Sequence, residues 1–147
     1  MKIYRIEKSI WVPRPLEEVF DFFSNAQNLE KLTPSWVNFK ILTPLPIEMK
    51  KGALIDYQIK MYGIPMNWRT EITEWNPNQS FVDEQRRGPY RLWRHRHTFE
   101  ENKGGTLLGD EVDYAPIGGE LIHWLFVKSE VEKIFQYRAE KIQKLFE

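Results

Sequence analysis

The tail of the chain, Glu120 to Glu147, constrains everything before it. Leu121, Leu125, Val131, Ile134, Phe135, Ile142, Leu145 and Phe146 recur there at steps of three, four or seven, the spacing of one helical face. Such a stripe must lie against another apolar surface, and the sequence upstream of Pro116 is mostly short and alternating, as strands are. A long helix packed on a sheet is the expected outcome. Pro116, Gly118 and Gly119 end the last strand, and Glu120 puts a negative charge where the helix dipole favours one. Lys141 and Lys144 supply the favourable sign at the other end. The opening LIHWLF, 121 to 126, is apolar nearly all round, which predicts burial on every side or a cover over a cavity.

Read from the start, residues 3 to 12 alternate, with Tyr4, Ile6, Ile10 and Val12 on one face, broken once by Lys8. Pro13 ends that strand and Pro15 opens a short helix with Val19, Phe20, Phe22 and Phe23 on its buried side. A second short helix, capped by Asn25 or Asn28, runs to Thr33-Pro34. The period then changes to alternation. Val37, Phe39 and Ile41 mark a second strand, 53 to 62 a third, and Met66, Trp68, Thr70 and Ile72 a fourth. A fifth covers 80 to 87, a sixth Tyr90 to about Glu101 and a seventh Thr106 to Ala115, with turn signals between them. Successive strands joined by tight turns are antiparallel. The expected fold is α+β: a curved seven-stranded antiparallel sheet around the C-terminal helix, with two short helices after the first strand, as one domain over 1–147.

Composition narrows the function. Twenty-one Lys and Arg balance twenty-one Asp and Glu, so no global field draws the chain to nucleic acid or anionic lipid. The run RRGPYRLWRHRH reads more simply as the polar outer face of a strand than as a nucleic-acid surface. No cysteine is present, which removes disulfides, thiolate chemistry and Cys-based metal sites. Charged residues precede any long apolar run and no stretch reaches membrane-span length, so a cytoplasmic protein without a signal peptide is expected. Six Trp, six Tyr and nine Phe suit a core, and also the wall of a pocket for flat or greasy ligands.

The element order, with VPRPLEEVFDFF (12–23), NLEKLTP (28–34), FVDEQRRGPYRLWRHRHTFE (81–100), GTLLGDEVDYAPIGG (105–119) and IFQYR (134–138), resembles the START-like, or SRPBCC, superfamily. The likeness covers essentially the whole chain and is greatest to the bacterial ligand-binding branch filed under polyketide cyclase/dehydrase. It implies a helix-grip fold with a cavity between the concave face of the sheet and the long helix. Its mouth would lie near Leu29, Leu32, Pro34 and the loop 63 to 66. One scaffold of this kind serves carriers, receptors and enzymes, so the resemblance alone leaves the chemistry open.

The residues most able to carry chemistry lie in WRHRHTFE, 93 to 100. Alternation puts Trp93, His95, His97 and Phe99 on the inner face and Arg94 and Arg96 outside. On the seventh strand Leu108, Val112 and Tyr114 carry Asp110 inward; on the fifth, Phe81 carries Asp83 and Gln85. Buried carboxylates need partners, so each Asp should meet a His or Arg. The two imidazoles can be satisfied core groups, can orient a ligand, or can ligate a metal or move a proton. H-x-H without a third ligand assigns no metal, and no cofactor signature is present.

The leading expectation is binding, carriage or sensing of a hydrophobic, aromatic or lipid-like molecule. Tyr57, Trp68, Trp93, Tyr114 and Trp124 would supply apolar contact, with Asp83, Gln85, His95, His97 and Asp110 fixing orientation. The enzyme alternative is a cyclase, dehydratase or hydrolase of a polyketide-like compound, with His95 or His97 as general base and Asp110 orienting it. A third reading is an interaction module exposing Trp11, Trp36 or LIHWLF, which leaves a homodimer open.

Overall fold

The computed structural model describes residues 1–147. Seven strands form one antiparallel sheet: β1 (Tyr4–Val12), β2 (Lys40–Ile41), β3 (Leu54–Met61), β4 (Ile64–Asn76), β5 (Ser80–Arg87), β6 (Tyr90–Asn102) and β7 (Gly105–Pro116). Their spatial order is β1-β7-β6-β5-β4-β3-β2. Hairpins join β3 through β7 in sequence, while the two short helices α1 (Leu16–Phe23) and α2 (Asn28–Leu32) carry the chain from one edge to the other. The long C-terminal helix packs into the concave face, giving the helix-grip arrangement.

Local chemistry explains the departures from the expected boundaries. Strand β2 shrinks to two residues because Ser35–Val37 form a single 3-10 turn and Asn38 adopts a left-handed conformation, φ 49°. Asn28 begins α2 rather than capping it; its Nδ2 donates to the Phe22 carbonyl at 2.7 Å and so ties α2 to α1. In β4 the register slips between Ile72 and Glu74, and the extra residue returns Trp75 to the same core as Phe20 and Phe81.

The C-terminal helix is divided. Gly118, at φ 104°, turns the chain into α3 (Gly119–Ile122), one wide π turn follows over His123–Val127, and α4 (Lys128–Leu145) completes it. The expectation that LIHWLF is buried all round is overturned. His123 is buried, but Leu121, Trp124, Leu125 and Phe126 are each more than half exposed. The inward face of this segment is narrow: His123 and Val127 fill it, and the remaining apolar side chains project beyond the sheet.

The interior has two apolar halves. Val12, Phe20, Phe23, Phe81, Phe99 and Ile142 belong to one, beneath α1; Trp68, Tyr90, Val112, Val131 and Phe135 belong to the other, beneath the start of α4. At about 25 cal/mol per Å², each such aromatic side chain contributes on the order of 2–3 kcal/mol by leaving water. Between the halves, on the middle of β6, lie the two histidines.

Candidate functional site

Strand register decides which side chains meet. On β6, His95 stands opposite Asp83 of β5 and Val112 of β7, and His97 opposite Phe81 and Asp110. The hydrogen bonds cross this register. Each imidazole bonds the carboxylate facing the other: His95 Nε2 to Asp110 Oδ1 at 2.7 Å, His97 Nε2 to Asp83 Oδ2 at 2.6 Å. The rings stack with centroids 3.7 Å apart and planes 25° from parallel. Phe81 stacks on the far side of His97 at 4.1 Å and Phe135 meets His95 edge to face at 5.5 Å, so the pair bridges the two apolar halves.

Arg138, on α4, completes the cluster. Its Nη2 lies 3.3 Å from Asp110 Oδ1 and 3.4 Å from His97 Nδ1. A carboxylate accepts and a guanidinium donates, so His97 is fixed as the Nε2–H tautomer, while His95 donates from Nε2 to Asp110. His97 then has both nitrogens engaged. His95 keeps Nδ1 free of hydrogen bonds, with Asp83 Oδ2 the nearest carboxylate oxygen at 3.9 Å.

The protonation states follow from these partners. Burial alone would raise the Asp110 carboxyl, but the Arg138 charge and the His95 hydrogen bond hold it well below the usual carboxylate range. At Asp83 burial is likewise outweighed, here by the His97 hydrogen bond and the neighbouring charges, and its carboxyl is lowered. Burial, then the adjacent His95, pushes His97 down to about 4. Neutral His97 is a fixed structural donor.

A cavity of about 180 Å³ opens between the sheet and α4. Tyr57, Trp68, Tyr90 and Trp93 form an aromatic wall, with the Tyr57 and Trp68 rings stacked at 5.7 Å and Trp68 edge-on to Trp93 at 5.5 Å. Asp83, His95, His97 and Arg138 line the same cavity, and Phe135 and Ile134 enter it from α4. Leu29 and Leu32 of α2 are on its rim. Pro34 is fully buried and residues 63–66 do not line the cavity, whereas Lys60 and Met61 just before that turn do.

Of the ten sequence-derived candidates, Tyr57, Trp68, Asp83, Trp93, His95 and His97 line this cavity, and Asp110 stands behind His95. Three others are elsewhere. Gln85 closes the β5–β6 turn, donating to the Tyr90 carbonyl at 2.6 Å and accepting from its amide at 3.1 Å. The Tyr114 hydroxyl meets His123 Nε2 at 2.8 Å on the side of β1 and β7. Trp124 is 62% exposed, with Lys128 Nζ 4.2 Å above its ring. Arg138 is the residue that strand alternation misses. It lies on the helical stripe Val131, Phe135, Arg138, Ile142, where one cation among apolar residues is the visible sign.

Asp83, His95 and His97 each offer a donor atom within 4.8 Å of the others, which invites comparison with a metal site. Ring orientation opposes it. An ion held by both imidazoles would lie near both ring planes at about 2.0–2.1 Å from each nitrogen. Stacked planes tilted by only 25° meet far beyond that reach. Ligation would require one ring to leave the stack and Asp83 to release His97.

The fold and this inward cluster define a helix-grip, START-like domain with an aromatic-walled cavity. Residues 12–136 match the family described as polyketide cyclase / dehydrase and lipid transport, and the chain belongs to it. No curated protein matches the sequence. Among solved structures, the Zhui aromatase/cyclase from Streptomyces sp. R1128 is similar with a TM-score of 0.76 at 12% identity, over 97% of this chain and 93% of that one. A Chromobacterium violaceum protein gives 0.75 at 14% identity, over 97% of each chain. The major latex-like protein 151 of Panax ginseng gives 0.67 at 11% identity, over 98% and 97%. At such identities the likeness is one of fold.

Proposed function

We propose that the protein binds a hydrophobic small molecule, aromatic or lipid-like, between the sheet and α4, and so sequesters, carries or senses it. The observation that carries this reading is the cavity itself: four aromatic side chains on its wall and a confined polar cluster at one side, the composition that small-molecule sites share. Family membership supports the same reading. Titration with N-phenyl-1-naphthylamine, an uncharged probe that brightens in apolar surroundings, tests it. Saturable binding with one site per chain is expected; a response no greater than that of the denatured chain would sink it.

One observation favours a second reading, catalysis on a polyketide-like substrate. Asp110 holds His95 through Nε2 at 2.7 Å and leaves Nδ1 unbonded, the arrangement in which a carboxylate orients a general base. In this reading His95 Nδ1 takes a proton from an acidic C–H, and His97, engaged at both nitrogens, does not. It predicts turnover that His95→Gln abolishes with the fold intact.

A further inference from the structure

The polar side of the cavity carries a carboxylate, Asp83, that no Lys or Arg meets. Two carboxylates, Asp83 and Asp110, face one guanidinium, and that guanidinium is committed to Asp110 at 3.3 Å. Arg138 is engaged through Nη2 with Asp110 and His97, its Nε is sealed from solvent without a partner, and its guanidinium lies 5.4 Å from the Phe23 ring. Asp83 has no Lys or Arg within ion-pair distance. Its one hydrogen-bond partner is neutral His97, through Oδ2, and its side chain keeps 19% of its surface open where it lines the cavity. Beside it stands His95 Nδ1, which makes no hydrogen bond, 3.9 Å from Oδ2. A buried carboxylate without a cation is costly, and a ligand that brings one removes the cost.

We propose that the ligand carries a protonated amine on an aromatic body, the ammonium donating to Asp83 and His95 Nδ1. The aromatic wall supports the same choice, since the faces of Tyr57, Trp68 and Trp93 attract a cation as well as a flat ring. The inference rests on the small-molecule reading above and narrows it: amines are favoured, uncharged analogues are weaker and carboxylates are rejected by Asp83.

Four compounds sharing one body test it by isothermal titration calorimetry at pH 7.5: 2-naphthylmethylamine, 2-naphthylmethanol, 2-methoxynaphthalene and 2-naphthoate. The amine should bind about tenfold or more tighter than the ether, the alcohol should fall between, and the carboxylate should not bind. Asp83→Asn should remove the preference of amine over alcohol. Equal affinities for amine and ether, or tightest binding by the carboxylate, overturn the amine assignment while leaving a hydrophobic-ligand site standing. If no compound binds, the amine assignment and the small-molecule reading fail together. The series on the unsubstituted protein decides between these outcomes even if the variant does not fold.

Discussion

His95 and His97, two residues apart on β6, stack with ring centroids 3.7 Å apart, and each bonds the carboxylate that lies opposite the other. The crossing ties β5, β6 and β7 together through side chains, and Arg138 extends the tie to α4. Stability and protonation are therefore linked at one place.

His97 is lowered from 6.5 to about 4 in the fold. The unfolded chain takes up its proton below pH 6.5 while the folded protein does not, so stability falls between pH 6.5 and 4. Below that window the lowered Asp83 and Asp110 lose their contribution as well. Full expression of the His97 shift corresponds to about 3 kcal/mol. Urea midpoints measured from pH 7.5 to 4 should decline, and His97→Gln should flatten the decline above pH 4.

Arg138→Met removes the cation that meets Asp110 and leaves a buried carboxylate without an ion partner. The expected loss is about 3–5 kcal/mol by urea unfolding. Combining Arg138→Met with Asp110→Asn should recover part of it, because the uncompensated charge is gone. A double variant no more stable than the single one would show that the 3.3 Å contact carries little coupling.

Most of the fold was legible because strands and helices differ in period and the turns are marked. Parity along β5, β6 and β7 also brought Asp83, His95, His97 and Asp110 inward, and the requirement that buried carboxylates find partners foretold their pairing. Other features depend on tertiary geometry. Whether Gln85 lines a cavity or closes a turn is set by the Tyr90 backbone it bonds. LIHWLF is apolar in sequence yet mostly exposed, because a helix buries only what the sheet reaches. Arg138 was hidden by its own type, a cation on an apolar stripe whose partner lies far away in sequence.

Trp93 and Trp124 separate the two environments. Trp93→Ala should weaken N-phenyl-1-naphthylamine binding by about tenfold or more, since a large aromatic wall is lost. Trp124→Ala, at a side chain 62% exposed, should leave that affinity unchanged. Equal effects in the two variants would place the probe outside the cavity.

Gly105 lets β1 approach the start of β7. A Cβ built there would lie 2.3 Å from the Val12 carbonyl oxygen and 2.6 Å from the Trp11 ring. Backbone cannot yield as a flexible side chain can, so Gly105→Ala should cost about 1–3 kcal/mol, read as a lower thermal midpoint. Gly104, with φ 78° and open space around it, should tolerate Ala sterically and lose stability through backbone strain.

Native mass spectrometry of freshly purified protein reads out whether the cavity between the sheet and α4 holds a small molecule. A denatured sample fixes the mass of the bare chain. A reproducible adduct is expected on the native protein, lost on denaturation, depleted in Trp93→Ala and retained in Trp124→Ala. An adduct retained equally in both variants, or one that survives denaturation, would contradict a ligand held there.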